Sequence, residues 1–420
     1  MLYIYKTTRT AFTKMSGAMA HLSAADLGKH ALSALLAESN VPPDSIDEVV
    51  MGCVCQPADS ANIARVIALR AGLPENVIAA TVHRNCASGM EAITSAYERM
   101  HAEKGKLFIV GGTESMSNAP VLFRHSAIKK FAALQKARGS LAKLTAALRF
   151  RPHDFSPIIG LKQGLTDPYC GLNMGETAEL LAREFEISRK EQDAFATRSH
   201  LNAAAARESL NQEISPIYTH GRAVAADDGI REDSSVEKLA KLKPVFEKKT
   251  GTVTAGNSSQ ITDGAAMLLV GSIRGKELGL EPIGRLRAYA YAGCDPTRMG
   301  LGPLFAMQKL FRETSLCIKQ ADIIELNEAF AAQALACLKV SDSSALAKRA
   351  GLDAPLGEIP LDKLNQRGGA IALGHPVGAT GARLVITALD QLKTQNKQHA
   401  LTTLCIGGGQ GAALWIERLT

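Results

Sequence analysis

The sequence lacks any run of about 18 apolar residues, so it predicts no membrane-spanning helix. Residues 1–5 form too short an apolar stretch for the core of a signal peptide. Aromatic residues make up only 5% of the 420 residues, with a single tryptophan, and no nucleic-acid-binding motif is present. Without aromatic platforms beside basic residues, nucleic acid is a poor candidate for a partner. We therefore expect a soluble protein located in the cytoplasm.

The eight cysteines lack the spacing of a metal centre. They are scattered along the chain, and Cys53 and Cys55 form a C-x-C pair with no second pair of ligands. In a chain without an export signal, scattered cysteines are expected to be free thiols. The sequence therefore predicts neither a zinc site nor a disulfide framework.

Acidic residues are missing from one segment, residues 121–151, which contains eight lysines and arginines and no Asp or Glu. This segment contributes +8 to the net charge of +7, so the rest of the chain is close to neutral at −1. The basic character of the protein is therefore local, and the function of this segment has to be considered separately from the rest.

Strand-like and helix-like segments alternate along most of the chain. Short apolar segments predict strands over 2–5, 47–52, 77–82, 107–110 and 266–270, and periodic segments predict helices over 24–39, 62–71 and 87–100. The alternation predicts an α/β fold with a mostly parallel sheet covered on both faces. We expect the strand at 107–110 to end at the Gly111-Gly112 pair.

The end of the chain repeats the pattern of its beginning. Residues 379–392 are similar to residues 87–100, which indicates two duplicated βαβ half-domains. Between them the alternation of strands and helices stops. This region predicts two short amphipathic helices and a longer helix near 188–210, with Asp193 on its solvent-exposed face. The predicted domains are an N-terminal half (1–118 plus 245–275), an inserted, mainly helical loop domain (119–244) and a C-terminal half (276–420).

Cys86 lies at the joint between the strand 77–82 and the helix 87–100. Unpaired N–H groups and the positive end of a helix dipole meet at such a position, which predicts a lowered thiol pKa and a reactive nucleophile. Small neighbours, from Ala87 to Gly89, would allow a substrate to approach closely. A buried structural cysteine is the alternative.

Three further segments combine polar side chains with a strand end or a glycine-rich loop. Asn327 begins the sequence NEAF after a buried strand, and His375 lies in a loop between glycines. Cys405 begins CIGGGQG, whose backbone N–H groups could form an anion-binding nest. Each signal is weak alone, because a histidine between glycines is often structural and a glycine run is often a tight turn. No helix and second strand follow this run, so it is not a dinucleotide-binding fingerprint.

Together these segments resemble the thiolase family. The matching sequences occur in the family's order and cover nearly the whole chain: NCASGMEAI, TVTAGNSSQITDGAA, NEAFAAQA, GGAIALGHPVGATGAR and CIGGGQG. The resemblance implies a five-layered αβαβα fold of two half-domains with an inserted loop domain. The long basic insertion resembles the fatty-acid-oxidation branch that includes the β subunit of trifunctional enzymes.

The resemblance also implies residue roles. Cys86 would be the acylated nucleophile, His375 would take its proton, and Cys405 would exchange the α-carbon proton of acetyl-CoA. Backbone N–H groups of Cys86 and Gly407 would form one oxyanion hole, and His375 with a water held by Asn327 would form the other. Such a 3-ketoacyl-CoA thiolase acts in β-oxidation by a ping-pong mechanism.

Coenzyme A is implied as a substrate, with no permanently bound cofactor and no metal. Its pantetheine arm would pass Ser259 and Met174, and the chain carries Asn173 where many members of the family have His. Members of the family are homodimers or homotetramers, and an α-type hydratase/dehydrogenase subunit is a further candidate partner. The basic segment is interpreted as a solvated face, a site for CoA phosphates or an acidic partner subunit, or a membrane-surface patch.

Alternative functions stay open at this point. One is a biosynthetic acetoacetyl-CoA thiolase, and another is a decarboxylating ketoacyl synthase, which resembles thiolases in fold. A synthase obtains its carbanion by losing CO2 and needs no second acid-base thiol, so Cys405 favours a thiolase. A catalytically silent acyl-CoA-binding scaffold subunit is the third alternative.

Overall fold

The computed structural model describes residues 1–419. The strands are β1 (Leu2–Arg9), β2 (Thr13–Lys14), β3 (Glu48–Gly52), β4 (Ile78–Val82), β5 (Leu107–Ser115), β6 (Val121–Leu122), β7 (Ile158–Ile159), β8 (Ile217–Thr219), β9 (Arg222–Val224), β10 (Thr262–Gly271), β11 (Gly284–Gly293), β12 (Ile323–Leu326), β13 (His399–Ile406) and β14 (Gln410–Arg418). The helices are α1 (Ala24–Ser39), α2 (Ile63–Arg70), α3 (Ser88–His101), α4 (His125–Lys136), α5 (Ser140–Ala147), α6 (Gly160–Gly164), α7 (Met174–Glu184), α8 (Arg189–Ala205), α9 (Arg207–Gln212), α10 (Val236–Ala240), α11 (Arg274–Glu277), α12 (Gly302–Glu313), α13 (Ala331–Asp342), α14 (Ser344–Ala350), α15 (Ala370–Leu373) and α16 (Val377–Thr394).

One large sheet runs through the molecule in the order β12-β13-β14-β11-β1-β10-β5-β3-β4, with β2 beside β10. The α/β class is as predicted, but the prediction of a mostly parallel sheet is wrong. Only β3 with β4 and β5, and β12 with β13, pair in parallel, and the remaining pairs are antiparallel. The tight turn between β13 and β14 is too short for a parallel crossover, so this hairpin has to be antiparallel.

The two halves of the sheet meet where β1 pairs with β11 over Leu2–Ile4 and Gly284–Leu286. Helices α1 and α2 cover the outer face of the N-terminal half, and α12 covers that of the C-terminal half. Helices α3 and α16 lie between the two half-sheets and pack against both each other and the strands. Helices and strands therefore alternate in five layers, held by one apolar cluster between the half-sheets and one beyond each of them.

Small residues make the contact between α3 and α16 close. A Cβ at Gly89 would lie 2.7 Å from the backbone nitrogen of Ala382, and one at Gly381 would lie 2.6 Å from that of Met90. Nearly every residue of α16 from Val377 to Leu389 is buried, as expected for a helix enclosed on all sides. The loops that carry Cys86 and His375 lead directly into these two helices, so their contact fixes the distance between the loops.

Three local predictions need correction. Strand β5 continues through Gly111-Gly112 to Ser115, because it stays paired with β10 as far as Ser115. Glycine is needed at 112 for close packing, since a Cβ there would lie 1.9 Å from the oxygen of Gly378. The long helix of the insertion breaks at Ala206 into α8 and α9. Asp193 is fully buried rather than wet, because its carboxylate accepts hydrogen bonds from Arg189 at 2.7 Å and Asn257 at 3.0 Å.

The basic segment forms two helices, α4 and α5, and this agrees with the prediction of two short amphipathic helices. Their apolar side chains are largely exposed, with Leu141 at 78% and Leu148 at 77%. Lys130 pairs with the buried Asp154 at 2.5 Å. Within residues 1–419, no helix is both long and apolar enough to cross a membrane. The predicted domain limits stay a prediction, and Thr420 at the end of the C-terminal half lies outside the described residues.

Candidate active site

A cavity of about 1190 Å³ opens at the seam between the two halves and the insertion. Six of the seven residues predicted for the site line this cavity: Cys86, Met174, Ser259, His375, Cys405 and Gly407. The seventh, Asn327, is fully buried and is not part of the lining. The two distant sulfurs therefore share one opening, with an imidazole beside them.

Cys86 sits on a tight elbow between β4 and α3. The hydroxyl of Ser88 accepts from the backbone N–H of Arg84 at 2.9 Å and donates to the carbonyl of Asn85 at 2.7 Å. Asn85 has a φ of 44°, in the left-handed region that asparagine tolerates better than most residues. The elbow therefore presents Cys86 to the cavity just before the first turn of α3.

The environment of the Cys86 thiol differs from the sequence-based prediction. Burial raises its pKa above the ordinary value, and the backbone N–H groups of Gly407 and Cys86 only partly offset this effect. The predicted lowering of the pKa is therefore wrong, because desolvation outweighs the hydrogen bonds at this helix start. A resting thiol of this kind needs a neighbouring base to become a nucleophile.

His375 has the tautomer that such a base needs. Its Nδ1 lies 2.6 Å from the hydroxyl of Thr380, whose single proton is donated to the carbonyl of Pro376 at 3.0 Å. The hydroxyl must then accept from Nδ1–H, which leaves Nε2 as the unprotonated nitrogen. Nε2 has no hydrogen-bond partner among residues 1–419.

The charge state of His375 follows from its surroundings. It is 8% exposed, and burial, followed by the positive charge of Arg383, lowers its pKa to about 4. The imidazole is therefore neutral at pH 7, with a free lone pair on Nε2. The chain positions it through its backbone N–H, which donates to the carbonyl of Gln260 at 3.0 Å.

Cys405 is the next-to-last residue of β13, where it pairs with Gly411 of β14. Its side chain is 1% exposed, and burial raises its pKa well above the ordinary value. The nearby Cys86 thiol raises it further, because two thiolates in one site repel each other. Cys405 is therefore a protonated thiol at neutral pH and can donate a proton.

One buried group offers hydrogen bonds that the described protein atoms do not use. The Asn327 amide is fully buried, and neither its Oδ1 nor its Nδ2 has a partner among residues 1–419. A buried amide without partners is costly unless a water or ligand satisfies it. The backbone N–H groups of Gly407 and Cys86 lower the pKa of the Cys86 thiol, although burial outweighs them.

The residues predicted to hold pantetheine lie in the cavity wall. Met174 opens α7, and its sulfur would lie 3.3 Å from a Cβ added to Gly407. Ser259 is fixed by its N–H, which donates to the carbonyl of Ala329 at 2.9 Å. Asn173 caps α7 by accepting from the N–H of Gly175 at 3.0 Å and is not part of the lining. No group of side chains within residues 1–419 could hold a metal ion.

Two family models match the chain. One, described as "Thiolase, N-terminal domain", covers residues 2–273, and the other, "Thiolase, C-terminal domain", covers residues 280–418.

The chain belongs to the thiolase family.

Similar proteins carry two kinds of name. The chain is 38% identical to a 3-ketoacyl-CoA thiolase of Yersinia enterocolitica, over 97% of this chain and 95% of the relative. It is also 38% identical to an acetyl-CoA acetyltransferase of Chromobacterium violaceum, over 99% of both chains. The crystal structure of human mitochondrial 3-ketoacyl-CoA thiolase in complex with CoA matches with a TM-score of 0.85 and 33% identity, over 100% of this chain and 98% of that one. The predicted thiolase-like fold and the acyltransferase class of enzyme are confirmed.

Sequence reasoning missed two polar residues near the thiolase cavity. Glu114 is fully buried, and burial raises its pKa to about 7 although its carboxylate accepts from backbone N–H groups of Cys55 and Gly378, each at 2.8 Å. It joins the cavity wall of one half to the start of α16 in the other. Asn85 lines the cavity beside Cys86. Asn85 could have been found from the sequence, because it is a polar residue between the predicted strand and Cys86.

Proposed function

We propose that this thiolase transfers an acyl group between CoA and a 3-ketoacyl-CoA by a ping-pong mechanism through acyl-Cys86. The observation that carries the proposal is that the thiols of Cys86 and Cys405 line one cavity with His375, whose Nε2 has no partner among residues 1–419. Thiolysis would give acetyl-CoA and an acyl-CoA shortened by two carbons, and Claisen condensation is the reverse. Coenzyme A is a substrate in this scheme.

In the first half-reaction, Nε2 of His375 takes the proton of the Cys86 thiol. The thiolate attacks the 3-keto carbon, and the resulting oxyanion is stabilised by the N–H groups of Cys86 and Gly407. The bond between C2 and C3 then breaks, which leaves the acyl group on Cys86 and the enolate of acetyl-CoA. Cys405 donates its proton to C2, and acetyl-CoA leaves.

The enolate oxygen needs its own stabilisation before protonation. His375, protonated in the first step, and a water held by the unpartnered amide of Asn327 are the proposed donors. Each donor of this kind contributes roughly 3 to 4 kcal/mol in comparable enzymes. The orphaned Asn327 amide supports this role, because a bound water would satisfy it.

In the second half-reaction, a molecule of CoA attacks the acyl group on Cys86. The CoA thiol gives its proton to the Cys405 thiolate formed in the first step. The tetrahedral intermediate collapses with cleavage of the bond to Cys86, and the departing thiolate recovers its proton from His375. Met174 and Ser259 are proposed to contact the pantetheine arm along the cavity wall.

Thiolysis within fatty-acid β-oxidation is the proposed role. A biosynthetic acetoacetyl-CoA thiolase is the second candidate, favoured by the relatives named acetyl-CoA acetyltransferase. The degradative role is favoured by the relatives named 3-ketoacyl-CoA thiolase. A turnover series on 3-ketoacyl-CoA substrates from C4 to C16 separates the two, because a biosynthetic enzyme would act at C4 alone.

The decisive experiment mixes the protein with acetoacetyl-CoA and CoA and follows the loss of the 3-ketothioester absorbance. We expect turnover in the wild type and none in Cys86→Ser, because a neutral hydroxyl is a much weaker nucleophile. Cys317→Ser is the matched control, since Cys317 is exposed and does not line the cavity. A flat trace for the wild type would leave only a silent scaffold, and wild-type turnover in Cys86→Ser would refute the choice of nucleophile.

The basic segment is tested separately. Lys130 is left unchanged because Glu at this position would face the buried Asp154. Replacing Lys129, Lys136 and Arg138 by Glu should raise the KM for CoA if the segment binds CoA phosphates. An unchanged KM would leave a partner subunit, a membrane surface or a solvated face. Pull-down of an α-type subunit and vesicle sedimentation distinguish the first two, and unchanged association in both assays would leave the solvated face. A homodimer or homotetramer and a cytoplasmic location stay predictions.

A further inference from the structure

We infer that Asn85 is a positioning residue that holds Gly407 so that its N–H faces the sulfur of Cys86. The amide Nδ2 of Asn85 donates to the carbonyl of Gly407 at 2.7 Å. This bond joins the residue before the nucleophile to the loop after Cys405. It is therefore a direct link between the two halves of the site.

The backbone of Asn85 fixes where its amide can reach. Its φ of 44° turns the chain sharply between β4 and α3, and its carbonyl accepts both the N–H of Ser88 at 3.0 Å and the hydroxyl of Ser88 at 2.7 Å. With the backbone held at both ends of the elbow, few rotamers of a short side chain remain. The Nδ2 donor is thus aimed across the seam at little entropic cost.

Gly407 lies in a turn whose residues have little steric restriction of their own, so contacts from outside the turn fix its orientation. Three consecutive glycines, 407–409, connect β13 to β14, and glycine has the largest conformational freedom of all residues. Gly409 is held by its carbonyl, which accepts from the N–H of Cys294 at 2.7 Å. At Gly407 the described residues provide one side-chain hydrogen bond, the one from Asn85.

The hydrogen bond from Asn85 affects the reactivity of Cys86 through the N–H of Gly407. Its N–H is one of two that stabilise negative charge at Cys86, first on the thiolate and then on the oxyanion. Without the Asn85 amide, Gly407 can rotate, and a donor displaced by about 1 Å loses much of its effect. The effect on the oxyanion rests on the proposed acyl-Cys86 mechanism, whereas the effect on the thiolate does not.

The test uses Asn85→Gly and Asn85→Asp in the full-length protein with Cys317→Ser in the background. Glycine keeps the left-handed backbone and removes the donor, and aspartate keeps the shape but sets a carboxylate against the Gly407 carbonyl. Acylation of Cys86 by acetyl-CoA and the pH dependence of its alkylation by iodoacetamide are both followed by mass spectrometry. Asn40→Gly is the matched control, because Asn40 is an exposed asparagine with a φ of 53° at the end of α1.

We expect Asn85→Gly to slow acylation by about tenfold to a hundredfold and to shift the alkylation profile to higher pH, with unchanged thermal unfolding. Asn85→Asp should be slower still at pH 8 and should recover as the pH falls, because a protonated carboxyl can donate as the amide does. Acylation within twofold of the wild type in Asn85→Gly overturns the inference. So does slower acylation with an unmoved alkylation profile, which would indicate a merely structural effect.

The two proposals fail in different ways. If the wild type is not acylated but the alkylation profile still shifts in Asn85→Gly, the proposed function is wrong and the positioning of Gly407 stands. If the wild type is acylated and neither readout changes in the variants, the function stands and the role of Asn85 is refuted.

Discussion

Thr380→Val removes the hydrogen bond that fixes the tautomer of His375. The substitution keeps the size and branching of the side chain but leaves Nδ1–H without an acceptor. Thr380 is fully buried, so water does not readily replace the lost hydroxyl. The imidazole can then turn, or place its proton on Nε2, where it can no longer accept the proton of Cys86.

The expected loss follows from the strength of this contact. The hydrogen bond of 2.6 Å is made to a ring that becomes positively charged when it takes the proton, and such bonds contribute about 1.5 to 3 kcal/mol. A barrier change of about 1.4 kcal/mol alters a rate tenfold. We therefore expect kcat for acetoacetyl-CoA thiolysis to fall roughly 10- to 100-fold, with a smaller change in the KM for CoA.

Thr387→Val is the matched control for this experiment. Thr387 lies about two turns further along α16, is equally buried, and donates to the buried carboxylate of Glu213 at 3.1 Å. Both variants should lose stability by about 1 to 3 kcal/mol, because each removes a buried hydrogen bond to an ionisable side chain. Only Thr380→Val should lose turnover, as measured by initial rates and chemical denaturation. Wild-type kcat in Thr380→Val, or an equal loss in both variants, would refute the tautomer argument.

Three further predictions concern the same site. Cys405→Ser should still be acylated on Cys86 by acetyl-CoA but should lose condensation, which mass spectrometry and product formation measure; loss of both would assign Cys405 another role. Because the pKa of His375 is lowered to about 4, the imidazole stays neutral above that pH, and kcat/KM should show no histidine titration between about pH 5.5 and 8. An inflection near pH 6.5 that is absent in a His375→Gln variant would contradict this assignment. Gly112→Ala should lower the thermal unfolding temperature strongly, because its Cβ would lie 1.9 Å from the oxygen of Gly378. An unchanged temperature would show that the backbone segments around Gly112 and Gly378 can move apart.

Local pattern was enough to predict the elements that carry the site. The strand before Cys86, the helix after it, the strand that ends beside Cys405 and the buried strand before Asn327 all occur as predicted. Each depends on a short stretch of apolar residues and on local signals, such as Ser23, which caps α1. The pairing of strands depends on contacts between distant segments, which is why the proportion of parallel pairs could not be read from the alternation of elements.

Electrostatics was harder to predict, because it depends on burial. The position of Cys86 at a helix start suggested a lowered pKa, but the tertiary structure desolvates the thiol and raises the pKa instead. Asp193 looked like a surface residue, yet it is held in the interior by Arg189, one turn earlier in the same helix, and by Asn257 from a distant segment. Asn85 was overlooked because its partner, Gly407, is more than 300 residues away.

The layer formed by α3 and α16 also bears on how the chain becomes reactive during synthesis. Cys86 is made early, whereas His375, Gly407 and Cys405 all belong to the last fifth of the sequence. Until that part is translated and α16 has docked, the nascent polypeptide holds a thiol without its base and leaves the inner face of α3 uncovered. Under the proposed mechanism, acyl transfer to Cys86 therefore begins only once this final segment is in place.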